Sequence, residues 1–177
     1  VVAEPLKSDF HVESRGYQSS IVQRVLDAFE AGKYSVMIES PVGSGKTVMG
    51  LMLLHAMQQR QPDRPLRISW VACRRHLLRQ VETLNRATYG LRMQYVSMFE
   101  KNPPPCDILV LDEAHHDATH SVANLFAHSA NTFTLGLSAT PLRTDKMKLS
   151  FEVTVSECGI ARLIGDGYLS PFLLHLI

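Results

Sequence analysis

Apolar residues fall into two alternating patterns along the chain. Short continuous or alternating runs occur at Tyr34-Ser35-Val36-Met37-Ile38, Ile68-Ser69-Trp70-Val71-Ala72, Leu91 to Met98, Asp107 to Leu111, Phe133 to Leu137 and Phe151 to Val155. Runs of this length, rich in β-branched residues, predict strands. Between them lie segments with helical spacing. Ile21, Val22, Val25, Leu26 and Phe29 mark one face of a helix, with Ser14 as its N-cap and Gly32 as its C-cap. Val48 to Met57 is apolar on nearly every face and predicts a buried helix. Leu77, Leu78, Val81 and Leu84 predict a third helix. Val122, Leu125 and Phe126 mark a short one, and Ile160, Leu163 and Ile164 begin another that stops at Gly165-Asp166-Gly167. Strands alternating with helices predict an α/β fold, with a mostly parallel central sheet flanked by helices.

Residues 1–13 carry no period, and Pro5 interrupts any early helix, so they are expected to form an N-terminal arm. The closing run Phe172 to Ile177 is apolar with no cap or polar tail and is expected to lead into something longer. At 177 residues the chain suits one domain with a full core. The net charge of +1 means that nucleic-acid binding would rest on a local basic patch. Cys73, Cys106 and Cys158 are far apart and show no metal-ligand spacing. Free thiols in a reducing, cytoplasmic setting are the expectation. No run is long enough to span a bilayer, and Val1-Val2-Ala3-Glu4-Pro5 does not read as a secretory leader.

Two stretches carry chemistry. Ser40-Pro41-Val42-Gly43-Ser44-Gly45-Lys46-Thr47 lies between a strand and a helix. Gly43 and Gly45 can take backbone angles that turn amide N–H groups into an anion cradle, and the next helix aims its positive end there. In such a P-loop Lys46 reaches the β- and γ-phosphates and the Thr47 hydroxyl ligates Mg²⁺. Ser40 stands where the pattern usually has its first glycine. The second stretch, Asp107 to His116, is an apolar run ending in two adjacent carboxylates. Asp112 at a strand's carboxyl end can hold Mg²⁺ through its water shell, and Glu113 can orient or deprotonate an attacking water.

Three other features are weaker. In Arg15-Gly16-Tyr17-Gln18, Gln offers a donor and an acceptor suited to adenine, and Arg can stack on a base; a solvated helix start is the alternative. Arg74 and Arg75 make the first turn of their helix basic, against the helix dipole. They suit an anionic partner such as a phosphodiester backbone, or are simply solvated. His116, His120 and His128 are expected to be surface or helix-start residues rather than metal ligands.

Taken in order, these pieces resemble the first RecA-like lobe of superfamily 2 helicases and translocases, across nearly the whole chain. Arg15 to Gln18 looks like a Q motif, Ser40 to Thr47 like motif I, and Arg74 to Gln80 like motif Ia. Asp112-Glu113-Ala114-His115 looks like motif II and Ser138-Ala139-Thr140 like motif III. The resemblance implies a three-layer P-loop NTPase over residues 14–171, with 172–177 starting the connection to a second lobe. It implies adenine contacts from Arg15 and Gln18, and ATP held by Pro41, Val42, Gly43, Ser44, Gly45, Lys46, Thr47 and Val48. Mg²⁺ would be held at Thr47 and Asp112, with hydrolysis by Lys46, Asp112 and Glu113. His115, Ser138 and Thr140 would couple hydrolysis to nucleic acid, which Arg74, Arg75 and Arg143 would contact. Leu137 to Asp145 and Leu163 to Pro171 look closer to the restriction-enzyme helicase-subunit and repair-translocase branch than to DEAD-box RNA helicases. This favours DNA over RNA and no membrane partner. A Thr-Gly type motif Ib is not evident. An RNA helicase lobe and an ATP-switched binding module are the other readings.

Overall fold

The computed structural model describes residues 15–114, 132–140, 151–156 and 160–168, together with 125, 127 and 170. The arm at 1–13, the helix face at Val122 and Phe126, His115, His116, His120, His128, Cys158, Arg143 and the closing run from Phe172 lie outside the described residues, as does Ser14.

Six parallel strands form one sheet: β1 (Ser35–Glu39), β2 (Ile68–Ala72), β3 (Met93–Ser97), β4 (Ile108–Asp112), β5 (Phe133–Ser138) and β6 (Val153–Val155). Their order across the sheet is β3-β2-β4-β5-β1-β6, so β1, the first of the six in sequence, sits between the last two. Among the described residues lie the helices α1 (Gly16–Glu30), α2 (Lys46–Gln59), α3 (Arg75–Ala87) and α4 (Ile160–Gly165). This is the α/β arrangement that the hydrophobic pattern predicts.

Position in the sheet explains each strand's composition. β2 and β4 are buried at every residue, which is why they read as continuous apolar runs. The edge strand β3 is buried only at Val96 and alternates in the sequence. Because side chains alternate across a sheet, each inner strand feeds two cores. Val36, Ile38, Ile68, Trp70, Val110, Leu135 and Leu137 join the core beneath α1, α2 and α3. Met37, Val71, Leu109 and Leu111 join the opposite one, with Cys106, Ala114 and Leu125.

The helix α2 buries Met49, Leu51, Leu53, Leu54 and Met57, consistent with its lack of a polar face. Gly50 lets it approach the sheet, since a Cβ there would stand 2.8 Å from Trp70 Cη2. The cap of α1 differs from the sequence reading. Arg15, not Ser14, is the N-cap, because the Gln18 side chain three residues on turns back to accept the Arg15 N–H at 3.1 Å. At the other end Ala31 is the C-cap, and Gly32 follows it at φ 82°. Lys33 N–H donates to Ala28 O and Gly32 N–H to Phe29 O, a Schellman closure that a left-handed glycine permits.

Candidate nucleotide-binding site

The carboxyl ends of β1, β4 and β5 lie side by side, with Glu39 level with Ser138 and Asp112 level with Leu137. The loop after β1 is built on Gly43 and Gly45, each at φ 81°. It is pinned at both ends and from behind. Ser40 N–H donates to Ser138 O at 3.0 Å, and Met49 N–H to Gly45 O at 3.0 Å where α2 begins. From behind, the Tyr17 hydroxyl and Gln18 Nε2 both donate to Ser44 O, at 2.6 and 3.0 Å. Gly45 is required by its angle, and a Cβ there would meet Gln18 Nε2 at 2.6 Å and displace the amide that holds Ser44 O.

A cleft of about 500 Å³ opens above these strand ends. Val42, Gly43, Gly45, Lys46 and Thr47 line one side, Asp112 and Glu113 another, and Leu77, Gln80, Val81 and Leu84 of α3 a third. The structure therefore brings the two chemical stretches of the sequence into one space. Lys46 is nearly buried, and its ammonium donates to Ser40 O at 3.1 Å and Pro41 O at 3.3 Å. Burial pulls its pKa below the ordinary lysine value, against the opposing pull of Glu113 and Asp112. Burial likewise raises the Asp112 carboxyl, opposed by the Trp70 indole N–H and reinforced by the Glu113 charge. Glu113 takes φ 54°, in the left-handed region that a residue with a side chain rarely adopts. That backbone strain sits at the strand end where the chain must turn two consecutive carboxylates.

The residues fit a Mg²⁺-bound nucleotide. The hydroxyls of Ser40 and Ser44 are buried with no hydrogen-bond partner, which leaves donors in a loop already shaped for an anion. Among the described residues no group of three or more His, Cys, Asp or Glu side chains forms a metal centre. Asp112 with the Thr47 hydroxyl instead matches the sparse protein ligation of Mg²⁺, which keeps waters and takes the rest of its shell from phosphate oxygens.

Other predicted residues fall around the cleft rather than in it. Arg15 and Gln18 lie behind the loop: both atoms of the Gln18 amide have protein partners, and the Arg15 guanidinium lies 4.9 Å from the Tyr168 ring centroid. Arg74 and Arg75 are exposed at the start of α3, near the carboxyl end of β2. Ser138 is buried, and its hydroxyl donates to Thr140 O at 2.6 Å while its carbonyl holds Ser40. Val48 is half-buried in the first turn of α2.

Two participants escaped the sequence reading. Tyr168, just beyond α4, packs its ring 5.2 Å from Tyr17 and so reaches the back of the loop. Trp70 donates its indole N–H to Asp112 at 3.3 Å. A tryptophan inside a run buried on both faces was the available signal, because its N–H must find an acceptor.

A family model described as type III restriction enzyme, res subunit, matches residues 11–101 and 83–143. A putative helicase 22 of Sulfolobus islandicus filamentous virus is 26% identical over 90% of this chain and 34% of its own length. A putative DNA 3'-5' helicase Rad25 of Halobacterium salinarum is 30% identical over 80% of this chain and 26% of its own length. The chain thus spans about a third or less of the curated relatives it matches. Among solved structures, the type ISP restriction-modification enzyme LlaGI, in complex with a DNA substrate mimic, superposes with a TM-score of 0.67 at 17% identity. That match covers 88% of this chain and 18% of the other. The UvsW helicase of bacteriophage T4 superposes at 0.63 and 16% identity, over 81% of this chain and 60% of the other. The model match, the helicase relatives and the shared fold meet on one conclusion: the chain belongs to the type III restriction enzyme res-subunit family, as a RecA-like lobe of the superfamily 2 helicase kind.

Proposed function

We propose that this chain is the ATP-binding motor lobe of an ATP-dependent DNA helicase or translocase. The observation that carries the reading is the meeting of Lys46 and Thr47 with Asp112 and Glu113 in one cleft at the strand ends. Thr47 and Asp112 would hold Mg²⁺, which would supply charge neutralisation at the phosphates. Lys46 exchanges its loop carbonyls for the β- and γ-phosphates. Glu113, set by its turned backbone, orients the attacking water and takes its proton. Tyr17 and Gln18 keep Ser44 O turned towards α1, leaving the other face of the loop to the phosphates. Arg15 and Gln18 serve the base side, and Val42 and Val48 flank the nucleotide.

The reading extends to partners. Arg74 and Arg75, with Arg143, contact a nucleic-acid backbone, and His115, Ser138 and Thr140 couple that contact to hydrolysis. DNA is favoured over RNA because a relative is described as a DNA helicase, and LlaGI and a SWI2/SNF2 ATPase core of Sulfolobus solfataricus were solved with DNA or its mimic. The helicase relatives are about three times as long or more, and in this reading the lobe, residues 14–171, works against a second RecA-like lobe.

The test is steady-state ATP hydrolysis and nucleotide binding by this chain with single-stranded DNA, duplex DNA, RNA or nothing, beside Lys46→Ala. Lys46-dependent binding, with turnover raised by DNA more than by RNA, is the expected result once the second lobe is supplied. Nucleotide affinity unchanged in Lys46→Ala would overturn the site.

A further inference from the structure

Trp70 lies at the middle of β2 and is fully buried. It stands level with Val110 on the neighbouring β4. Asp112 is two residues beyond Val110, hence on the same face of the sheet, and a diagonal neighbour at that spacing is within reach of an aromatic side chain. The indole closes this gap and donates Nε1–H to Asp112 Oδ2 at 3.3 Å. The ring has little freedom to leave. A Cβ added to Gly50 of α2 would stand 2.8 Å from Cη2 and 3.2 Å from Cζ3, so the helix that begins at Lys46 closes over the indole.

The chemistry of this donor matters. An indole N–H is neutral and donates one hydrogen bond, while a carboxylate has about four acceptor directions. Trp70 can therefore fix the orientation of the carboxylate without neutralising it or filling it. An arginine in the same place would satisfy the carboxylate's charge and compete with a metal ion.

We propose that Trp70 is a positioning residue for Asp112: its indole N–H holds the carboxylate in the orientation that receives Mg²⁺ beside the P-loop. This rests on the reading of Asp112 as the Mg²⁺-side carboxylate. Trp70 is the only tryptophan of the chain, so its indole N–H gives a single resonance that reports directly from the site.

The experiment uses the whole chain, ¹⁵N-labelled, with ADP or the imido analogue of ATP, titrated with Mg²⁺. The wild-type indole resonance shifts when Mg²⁺ is added to the nucleotide-bound protein and not when Mg²⁺ is withheld by chelator. In Trp70→Phe, which keeps most of the ring volume, the Mg²⁺ concentration needed for tight nucleotide binding rises about tenfold, as for loss of a group that orients a metal ligand. Its nucleotide affinity without Mg²⁺ stays at the wild-type value. Asp112→Asn separates the two levels of the argument. If it retains the wild-type Mg²⁺ dependence, the role of Asp112 fails. If it loses that dependence while Trp70→Phe keeps it, the positioning role fails and the site stands. Should Trp70→Phe not fold, a wild-type indole resonance unmoved by Mg²⁺ and nucleotide overturns the proposal alone.

Discussion

Strand β4 has an aspartate at each end, and the two are treated in opposite ways. Asp107, just before the strand, accepts from Arg67 Nη2 at 2.8 Å, Arg67 Nε at 3.3 Å, the Arg67 backbone N–H at 2.9 Å and Arg64 Nη2 at 3.2 Å. The Arg67 side chain holds its carboxyl below the ordinary range. Asp112, at the far end, has a neutral indole and a lysine whose ammonium bonds to loop carbonyls instead. Burial pushes its carboxyl up. One carboxylate is saturated by cations and braces β2 against β4. The other is oriented by a neutral donor rather than by a cation. The amino end of the sheet carries the charged brace, and the cleft proposed to bind nucleotide lies at the carboxyl end, where ligands generally bind in open parallel sheets.

The contrast can be broken at the carboxyl end with the largest effect. Glu113→Gln should lower turnover in the two-lobed protein by about 10²–10⁴-fold, the usual worth of a positioned base, with nucleotide affinity unchanged. Phosphate release and equilibrium binding on the same preparation check this, and full retained turnover would remove Glu113 from the chemistry. Next, Asp112→Asn should weaken Mg²⁺-dependent nucleotide binding by about 10–100-fold without lowering the melting temperature, because it removes a buried, underpaired charge. Calorimetry with and without nucleotide reads both. Asp107→Asn should do the reverse. It leaves nucleotide binding intact and destabilises the fold by about 1–2 kcal/mol, read from denaturant midpoints, since charged hydrogen-bond partners are lost.

The smallest effect sharpens the comparison through pH. The Asp107 carboxyl is depressed in the folded state, so its stabilisation is present above the ordinary value of 3.8 and is lost as pH falls through the folded value. The Asp112 carboxyl is raised, so the stability linked to its protonated form is full below 3.8 and is lost as pH rises through the folded value. Difference curves of stability against pH should therefore have opposite signs. Asp107→Asn loses stability at neutral pH and converges on wild type in acid. Asp112→Asn gains at neutral pH and also converges in acid. Parallel curves would show that the two ends are not electrostatically distinct.

How much of this was legible depends on whether the cause is local. Gly43, Gly45, Lys46 and Thr47 fall within one turn of chain, and the apolar run ending at Asp112-Glu113 declares a buried strand whose end lines the cleft. Both are readable from neighbours in sequence. Strand boundaries moved by only one or two residues; Leu91 and Phe151, for example, lie just outside β3 and β6. The cap at Arg15 was missed because Gln18, rather than a short hydroxyl side chain, closes the box. The Asp107 cluster, the indole on Asp112 and the contact of Tyr168 with Tyr17 were not legible. Each joins residues tens or more apart, through strand order and register for the two aspartates and through a ring contact between α1 and the turn after α4 for Tyr17 and Tyr168.

The order of strands also has a consequence for how the molecule is made. β2 finds β3 within a few turns of chain, and β4 joins them soon after. β1 emerges first yet pairs with β5 and β6, so Ser35 meets Thr134 and Val36 meets Val153. Closing loops that long delays pairing, since ordering must precede the contacts that reward it. The phosphate loop hangs from β1 and is tied to Ser138. During synthesis it is thus translated well before the strands that flank it, and a nascent chain that has not yet reached Phe133 carries it on a strand with neither neighbour.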